Sequence, residues 1–398
     1  MITRIDSLDI SNKKVLVRVD FNVPISDGII LSDFRLRAAF DTINFCLKNS
    51  AKIILMSHLG RPKGVDSKLS LYPIFNYLSD KFPNSKILFS DNCVSNESFK
   101  KTDSMINGDI HLLENLRYHD EELFNLDSFS QKLSKHGDVY INDAFGTSHR
   151  MHASNSTILK YFNFKGIGFL MDRELQYLSK INLDNTSNLV LLLGGAKIST
   201  KLAMIRYFIN KANYILVGGA MSFTFLKASG YKVGKSLIEE DMIKEAAFVL
   251  NESKASNTKI ILPVDIICAE TFSNDARSKC RRISEIEENE LGLDIGSDTS
   301  KNFINIIKEN DTVIWNGPMG AFEMDSFKIG TDILAKGISA STKDNELISI
   351  VGGGDTASAV INLGIDSSFT HVSTGGGASL ELLSGLKLKL FESWEKYE

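Results

Sequence analysis

The sequence predicts an α/β protein of two lobes, each a parallel sheet with helices on both faces, joined by an interdomain helix. Three observations carry that expectation. Short apolar runs alternate with longer segments of helical period, the alternation that builds parallel sheets covered by helices. At 398 residues the chain exceeds the size at which one core stops growing, so two domains of roughly 150–200 residues each are expected. The residues that follow the apolar runs also change character along the chain: cations in the first half, glycines in the second.

In the first half, strands are predicted over Lys14–Val19, Lys52–Met56, 109–113 and 138–141, with helices over 35–48 and Tyr72–Lys81. Segment 172–183 is polar and helical in character and lies between the two strand series, the natural place for an interdomain helix. In the second half, strands are predicted over Leu189–Leu193, Tyr214–Val217, 259–262, 312–315, 347–351 and 371–373. The charged tail Lys387–Glu398 places Leu388, Leu390, Phe391 and Trp394 at helical spacing, an amphipathic helix that docks on something. The expected boundaries are a first lobe of residues 1–168 completed by 381–398, a hinge helix over 169–186 and a second lobe over 187–380. No repeat or low-complexity tract appears, so the halves read as analogous folds and not as copies.

Hydrophobic content of 43% and charged content of 24% are ordinary for a globular protein. A net charge of −4 argues against a general nucleic-acid binder. Cys46, Cys93, Cys268 and Cys280 are scattered and form no C-x-x-C pair, which points away from zinc and disulfides and towards a reducing cytosol. The start Met1-Ile2-Thr3-Arg4-Ile5-Asp6 lacks the apolar core of a signal peptide. No apolar run approaches the roughly 18 residues that span a bilayer. A soluble cytoplasmic protein with no nucleic-acid or membrane partner is expected, and a monomer, since no apolar surface stretch stands out.

Ligands of parallel sheets bind beyond the carboxyl ends of the strands. In the first half those ends read Arg18-Val19-Asp20-Phe21-Asn22, Ser57-His58-Leu59-Gly60-Arg61, Glu114-Asn115-Leu116-Arg117 and Asn142-Asp143-Ala144-Phe145-Gly146-Thr147-Ser148-His149-Arg150, while Arg35 and Arg37 open a helix after Asp33. Arginine offers a planar fork that matches a carboxylate or phosphate. Any one of these arginines is as readily a solvated or surface-paired residue. Together, at equivalent positions of one sheet edge, they point to a small, multiply charged anion.

In the second half the strand ends are Leu193-Gly194-Gly195-Ala196-Lys197, Val217-Gly218-Gly219, Val351-Gly352-Gly353-Gly354-Asp355 and Thr374-Gly375-Gly376-Gly377. Glycine there permits a sharp turn and lets a phosphate lie against bare N–H groups. Lys197 and Lys201, four residues apart, are expected on one face of a helix's first turns, adding full charges to the N-terminal dipole. The guest is a nucleotide phosphate chain. Gly352-Gly353-Gly354-Asp355-Thr356 repeats the device, and Asp355 is placed to hold the Mg²⁺ that accompanies the phosphates. The plain alternatives are surface lysines and simple turns.

Two further strings compete. Gly352 to Ala357 fits G-x-G-x-x-A, which keeps a nicotinamide-dependent oxidoreductase as an alternative, although it lies late in the chain. The stretch from Gly230 to Ser236 imitates a Walker A loop but is one residue short and follows a helical segment, so it is rejected. His149 and His152 lack a third ligand and enclose Arg150, which argues against a metal. Trp315-Asn316-Gly317-Pro318-Met319-Gly320 is a strand end breaking into a rigid turn, with Glu323 set for sugar hydroxyls or acting only as a capping acid. A non-catalytic nucleotide-binding module is the third class.

Taken in order, Arg18-Val19-Asp20-Phe21-Asn22-Val23-Pro24, Ser57-His58-Leu59-Gly60-Arg61-Pro62, Asp143-Ala144-Phe145-Gly146-Thr147, Gly194-Gly195-Ala196-Lys197, Trp315-Asn316-Gly317-Pro318-Met319-Gly320 and Gly352-Gly353-Gly354-Asp355-Thr356 closely resemble the phosphoglycerate kinase family. The match runs from about Arg18 to Gly385. It implies exchange of a phosphoryl group between 1,3-bisphosphoglycerate and ADP, giving 3-phosphoglycerate and ATP with Mg²⁺. By position, the resemblance assigns Asp20, Asn22, Arg35, His58, Arg61, Arg117 and Arg150 to phosphoglycerate. It assigns Gly194, Gly195, Lys197, Lys201, Gly218, Gly292, Leu293, Asn316, Pro318, Glu323, Gly352, Gly353, Gly354, Asp355 and Thr356 to the nucleotide. It also implies that the C-terminal segment returns to the first lobe. Met171-Asp172-Arg173-Glu174-Leu175 and the tail after Gly385 depart from the family pattern.

Phosphoryl transfer to a carboxylate needs alignment and charge neutralisation and no general base. The mechanism expected from the resemblance has Arg35 and Lys197 meeting across the moving phosphoryl group, with helix N–H groups near Gly353 and Gly376 sharing the developing charge. Closure by bending at the central helix expels water.

Overall fold

The computed structural model describes residues 2–179, 188–345 and 347–398. The chain divides into two compact units, one of residues 1–176 with 387–398 and the other of residues 177–386.

The first unit is built on β1 (Lys14–Val19), β4 (Lys52–Met56), β5 (Ile87–Ser90), β6 (Ile110–Leu113), β7 (Val139–Asp143) and β8 (Lys165–Ile167), with the small hairpin β2 (Ile25–Ser26) and β3 (Ile29–Ile30) following β1. Apart from that hairpin, the six strands form one parallel sheet in the order β5-β6-β4-β1-β7-β8. Its central strands are buried along nearly their whole length, which is why they read as continuous Val/Ile/Leu runs. The hairpin turns through Asp27 and Gly28, both at positive φ, the requirement of a two-residue turn matched to strand twist. The tail forms helix Lys389–Lys396, with Leu390 and Trp394 buried. It docks on this unit: Leu390 N–H donates to Ser148 O at 2.9 Å and Lys165 Nζ to Tyr397 O at 2.6 Å.

The second unit holds β9 (Leu189–Leu193), β10 (Tyr214–Val217), β11 (Lys259–Ile261), β12 (Asp265–Ala269), β13 (Lys279–Arg282), β14 (Leu291–Ile295), β15 (Thr312–Asn316), β16 (Ile348–Gly352) and β17 (His371–Val372). Six of them form a second parallel sheet, β11-β10-β9-β15-β16-β17, and the other three an antiparallel sheet in the order β13-β12-β14. Trp315 and Phe303 are wholly buried in the core between the parallel sheet and its helices. The fold class is therefore the expected one, two parallel six-stranded sheets flanked by helices.

Several elements differ from expectation. The helix predicted over 35–48 is two, Phe34–Ala38 and Phe40–Lys48. At Ala39 the amide bonds back to Leu36 O at 3.2 Å, a tighter i→i−3 turn that re-aims the chain. The antiparallel sheet was not anticipated. Its strand β13, Lys279-Cys280-Arg281-Arg282, is largely exposed and charged and carries no apolar signature. Helix Phe169–Ser179 starts three residues before the expected 172–183, and residues 180–186 of the expected hinge lie outside the described residues. Residues 381–386, expected with the first lobe, belong to the second unit, where helix Gly376–Leu383 packs on β16 and on helix Leu202–Phe208.

Candidate functional site

The first unit gathers its cations behind the carboxyl ends of β1, β4, β6 and β7. Arg18, on β1, is wholly buried, and its Nε donates to Ser154 Oγ at 2.9 Å while Nη2 lies 3.2 Å from His58 Nδ1. Asp20, one turn of chain further on, accepts from Arg35 Nη1 at 3.2 Å, and the same nitrogen reaches Asn22 O at 3.2 Å. Asn22 Oδ1 holds Gly60 N–H at 2.9 Å, and Gly60 O in turn accepts Arg117 Nη1 at 2.7 Å. Asn115 fixes the loop beneath by accepting from Leu59 N and Arg117 N, each at 3.1 Å. Arg150 Nε donates to His149 Nε2 at 3.1 Å. Asp20, Asn22, Arg35 and Arg117 are thus tied together through Gly60, and His58 stands beside them, bonded to Arg18. Arg61 is exposed and no hydrogen bond ties it to the others.

This cluster is short of negative charge. Burial, then the guanidiniums of Arg18, Arg117 and Arg35, hold His58 well below its ordinary range, and His149 is pushed down to about 4 by burial and Arg150. His152 falls to about 3, by burial and Arg117. Even Arg117 is lowered to about 10, by burial and the like charges of Arg18 and Arg150. Buried donors and acceptors nearly always find partners, yet Arg117 Nε, His149 Nδ1 and His152 Nδ1 are buried and have none. An anion with several oxygens satisfies both deficits. Arg18, His149 and His152 were missing from the predicted site. The signal for Arg18 is a charge set between Val17 and Val19 inside an otherwise apolar strand.

In the second unit a cleft of about 420 Å³ opens among Gly195, Gly219, Gly292, Leu293, Pro318, Glu323 and Asp355, with Phe223, Leu237 and Phe272 supplying apolar wall. The strand-end glycines of β9, β10 and β15 pack backbone against backbone here. A Cβ on Gly194 would lie 2.1 Å from Pro318 O, and one on Gly219, at φ +62°, 2.4 Å from Gly195 N. Their amides are not bare, contrary to expectation: Gly194 N–H donates to Asn316 O, Gly195 to Pro318 O, Gly218 to Leu193 O and Gly219 to Met319 O, at 2.7–3.0 Å. Gly194 and Gly219 are glycine because no Cβ fits and Gly195 because its φ is +89°, while the amides of all four hold the scaffold together.

Free donors lie instead at two helix starts. Helix Gly354–Asn362 opens after Gly353 at φ +95°, and helix Gly376–Leu383 opens after Gly375. The two N-termini face one another, with a Cβ on Gly376 falling 3.9 Å from Gly354 N. Each offers unpaired N–H groups and partial positive charge. Thr356 is structural, its buried hydroxyl accepting Gly317 N–H at 2.7 Å. Gly352 packs beside Asn316, whose Nδ2 is buried and unpartnered. Gly292 N–H donates to Ser236 Oγ at 2.9 Å, giving the rejected Walker-like stretch a purely structural role, and Leu293 O accepts Ala321 N–H at 2.8 Å.

The lysine pair also differs from expectation. Residues 196–198 are irregular, 199–201 form a turn, and the helix begins only at Leu202. Buried Ile198 and a Lys201 N–H to Ile198 O bond of 2.8 Å tighten the segment, while the Glu239 carboxylate captures Ser199 through N–H and Oγ at 3.0 and 2.6 Å. Lys197 is exposed, whereas Lys201 is buried with Nζ against Asn316 Oδ1. Burial lowers Lys201 to about 8, against the opposing pull of Asp355. Asp355 is an exposed carboxylate on the cleft, and among the described residues no group of three or more metal-ligating side chains occurs. A lone carboxylate of this kind suits Mg²⁺, which takes most of its ligands from phosphate and water.

A family model for phosphoglycerate kinase matches residues 5–386. The phosphoglycerate kinase of Prochlorococcus marinus (strain MIT 9312) is 43% identical over 389 residues, covering 97% of this chain and 96% of its own. That of Clostridioides difficile (strain 630) is 42% identical over 386 residues, with 96% of each covered. The solved phosphoglycerate kinase from Coxiella burnetii superposes with a TM-score of 0.85 at 32% identity, covering 100% of this chain and 99% of that one. The one from Pyrococcus horikoshii OT3 gives 0.87 at 28% identity, covering 98% of each. These matches place the chain among kinases that use a carboxyl group as acceptor. The chain belongs to the phosphoglycerate kinase family. It catalyses reversible phosphoryl transfer from 1,3-bisphosphoglycerate to ADP, giving 3-phosphoglycerate and ATP in glycolysis. No helix among the described residues is long and apolar enough to cross a membrane.

Proposed function

We propose that the first unit binds phosphoglycerate through Asp20, Asn22, Arg35, His58, Arg117 and Arg150, with Arg61 joining from its exposed position. The second unit binds the nucleotide in the glycine-walled cleft, with Lys201, Asn316 and the starts of the two facing helices towards the phosphates. The supporting observation is the set of buried, unpartnered polar atoms in both places: Arg117 Nε and two imidazole nitrogens in the first unit, Asn316 Nδ2 in the second. Each waits for an oxygen or a donor that the protein does not supply.

Arg35 is aimed by Asp20 and the Asn22 carbonyl, so its remaining donors are preorganised for charge on the transferring group. Lys197, exposed in the irregular segment before the turn, supplies a cation that is free to follow the phosphate chain. N–H groups after Gly353 and Gly375 add fixed positive potential. Mg²⁺, carried by the nucleotide phosphates, would be held by Asp355 and neutralises their charge. Donor and acceptor sit on different units, so turnover requires the intact chain. We also infer a cytoplasmic monomer, in keeping with four unpaired cysteines, three of them buried; sedimentation tests the oligomeric state.

The test is a coupled assay with ATP, Mg²⁺ and 3-phosphoglycerate on paired variants. Arg117→Met is expected to raise KM for 3-phosphoglycerate alone, and Lys201→Met to raise KM for ATP alone. Reversal of that split overturns the assignment of the two units.

A further inference from the structure

We propose that Glu122, a carboxylate outside the phosphoglycerate cluster, acts through Ser154 and Arg18 as a positioning residue that holds His58 as its Nε2–H tautomer, a fixed donor to the substrate anion. The proposal rests on the reading that His58 faces that anion.

Glu122 lies in the short helix Asp120–Leu123 and is fully buried. Its Oε2 accepts Ser154 N–H at 2.9 Å and its Oε1 accepts the Ser154 hydroxyl at 2.6 Å. A carboxylate can only accept, so the single hydroxyl proton of Ser154 is committed to Glu122. Ser154 Oγ is then an acceptor, and Arg18 Nε donates to it at 2.9 Å. The backbone of Ser154 is itself fixed, its carbonyl accepting Tyr140 Oη at 2.8 Å. A guanidinium has five donors and no acceptor. Arg18 Nη1 is occupied by Val19 O, and Nη2 sits 3.2 Å from His58 Nδ1.

His58 Nδ1 must therefore accept, which places the ring proton on Nε2. The other group near Nδ1 is the Asp20 carboxylate, and its Oδ1 stands 3.9 Å away, beyond hydrogen-bond reach. The guanidinium fixes the last two directions by itself, since it can only donate to Ser154 Oγ and to His58 Nδ1; Glu122, by clamping the Ser154 N–H and hydroxyl, fixes where that guanidinium sits. Glu122 also offsets the repulsion among Arg18, Arg117 and Arg150. His152 Nδ1, at 3.8 Å from Glu122 Oε1, adds charge proximity but no bond.

Glu122→Gln keeps size and removes the directing charge. One amide face donates, so the Ser154 hydroxyl can turn, Arg18 loses its fixed seat and His58 loses its imposed tautomer. The experiment is nitrogen NMR of the full chain labelled at its seven histidines, at pH 7, with the His58 signals assigned by their absence from His58→Gln. The wild type is expected to show the Nε2–H signature at His58, and Glu122→Gln a mixture of tautomers. In the same variant KM for 3-phosphoglycerate is expected to rise about tenfold, the scale of one charge-assisted bond, with kcat and KM for ATP within about twofold. Ser154→Ala cuts the chain at its middle and is expected to reproduce the effect, which keeps the test open should Glu122→Gln fail to fold. A wild-type Nδ1–H tautomer, or an unchanged KM for 3-phosphoglycerate in folded Glu122→Gln or Ser154→Ala, overturns the proposal. An unchanged KM for 3-phosphoglycerate in His58→Gln overturns instead the reading that His58 faces the anion.

Discussion

The two units approach the same electrostatic problem, holding a polyanion, from opposite ends. The first uses side chains: buried guanidiniums aimed by carbonyls, one aspartate and a set of imidazoles kept neutral. The second uses main chain: two facing helix starts, with Gly194 and Gly219 packed so tightly that no Cβ fits. Full charges give the stronger field but must be desolvated and kept apart, which is why Arg117 is lowered to about 10. Backbone dipoles are weaker but need no counter-ion and tolerate close approach. The first arrangement depends on the identity of each residue, the second on their shape.

Removing the charge of Arg35 should therefore affect chemistry, and disturbing the glycine packing should affect nucleotide affinity. Arg35→Ala is the harshest form of the first test. It is expected to cut kcat by on the order of 10²–10³, typical for one lost preorganised donor, with KM for ATP unchanged in the coupled assay. Arg35→Lys should recover only a small part, because an ammonium that keeps Asp20 and the Asn22 carbonyl, both held by the single Nη1 of Arg35, lacks the further guanidinium nitrogens that face the transferring group. Near-normal turnover in Arg35→Ala removes Arg35 from the mechanism.

Gly194→Ala is the matching test of shape. The added methyl would lie 2.1 Å from Pro318 O and 2.7 Å from Gly317 O, both backbone atoms that cannot turn aside. The turns after β9 and β15 must then separate, and KM for ATP is expected to rise roughly 30-fold while the Kd for 3-phosphoglycerate, measured by calorimetry, stays put. If the substitution is silent, the tight packing does not shape the nucleotide cleft.

What the sequence made legible follows the same division. The strands of both parallel sheets that were predicted lie within two residues of expectation, because burial on both faces writes them as continuous apolar runs. Edge strands β5 and β8 were missed, being short or half-exposed. Charged β13 was missed because pairing, not burial, makes it a strand. In the candidate site, residue types were readable and their duties were not. The Gly194-Gly195 amides looked like a phosphate cradle and turned out to bind carbonyls. Lys197 and Lys201 looked like one helix face and are parted by a turn around buried Ile198. Such assignments depend on which neighbour arrives from a distant strand, and sequence spacing does not encode that.

Lys201 offers a gentler probe, since it is the buried full charge of an otherwise backbone-built site. Its ammonium is lowered to about 8 by burial, and bound phosphates would push it back up. Binding of ATP should then take up protons above about pH 8 and none near pH 6.5, and affinity should weaken by up to about tenfold per pH unit beyond pH 8. Calorimetry in buffers of different ionisation heat reads the uptake, and Lys201→Met should abolish it. Uptake that persists in Lys201→Met assigns the proton elsewhere.

The smallest effect expected lies away from both sites, where the first unit buries a second neutral imidazole pair. His136 Nε2 is 2.9 Å from Cys93 O, which only accepts, so Nδ1 must accept the Thr102 hydroxyl at 2.7 Å. Thr102 Oγ1 then accepts from His111 Nδ1 at 3.0 Å, and His111 Nε2 accepts the Ser90 hydroxyl at 2.8 Å. The neutral rings satisfy this chain of bonds throughout, and a proton on either leaves a hydroxyl hydrogen without an acceptor. Burial lowers His111 to about 3 and His136 to about 4, with His136 and Lys101 lowering His111 further, Lys14 lowering His136 and Asp103 opposing at His136. In the unfolded chain both titrate near 6.5. As pH falls from 6.5 towards 4 the unfolded state gains protons that the folded state refuses, so stability is lost through that window and is fully present above it. The slope is at most about 1.4 kcal/mol per pH unit for each ring. Urea midpoints at pH 7, 6 and 5 measure it. His111→Gln with His136→Gln should be less stable at pH 7 but should show a shallower fall; an unchanged slope would mean that the imidazoles of the anion cluster, not this pair, set the acid limit of the fold.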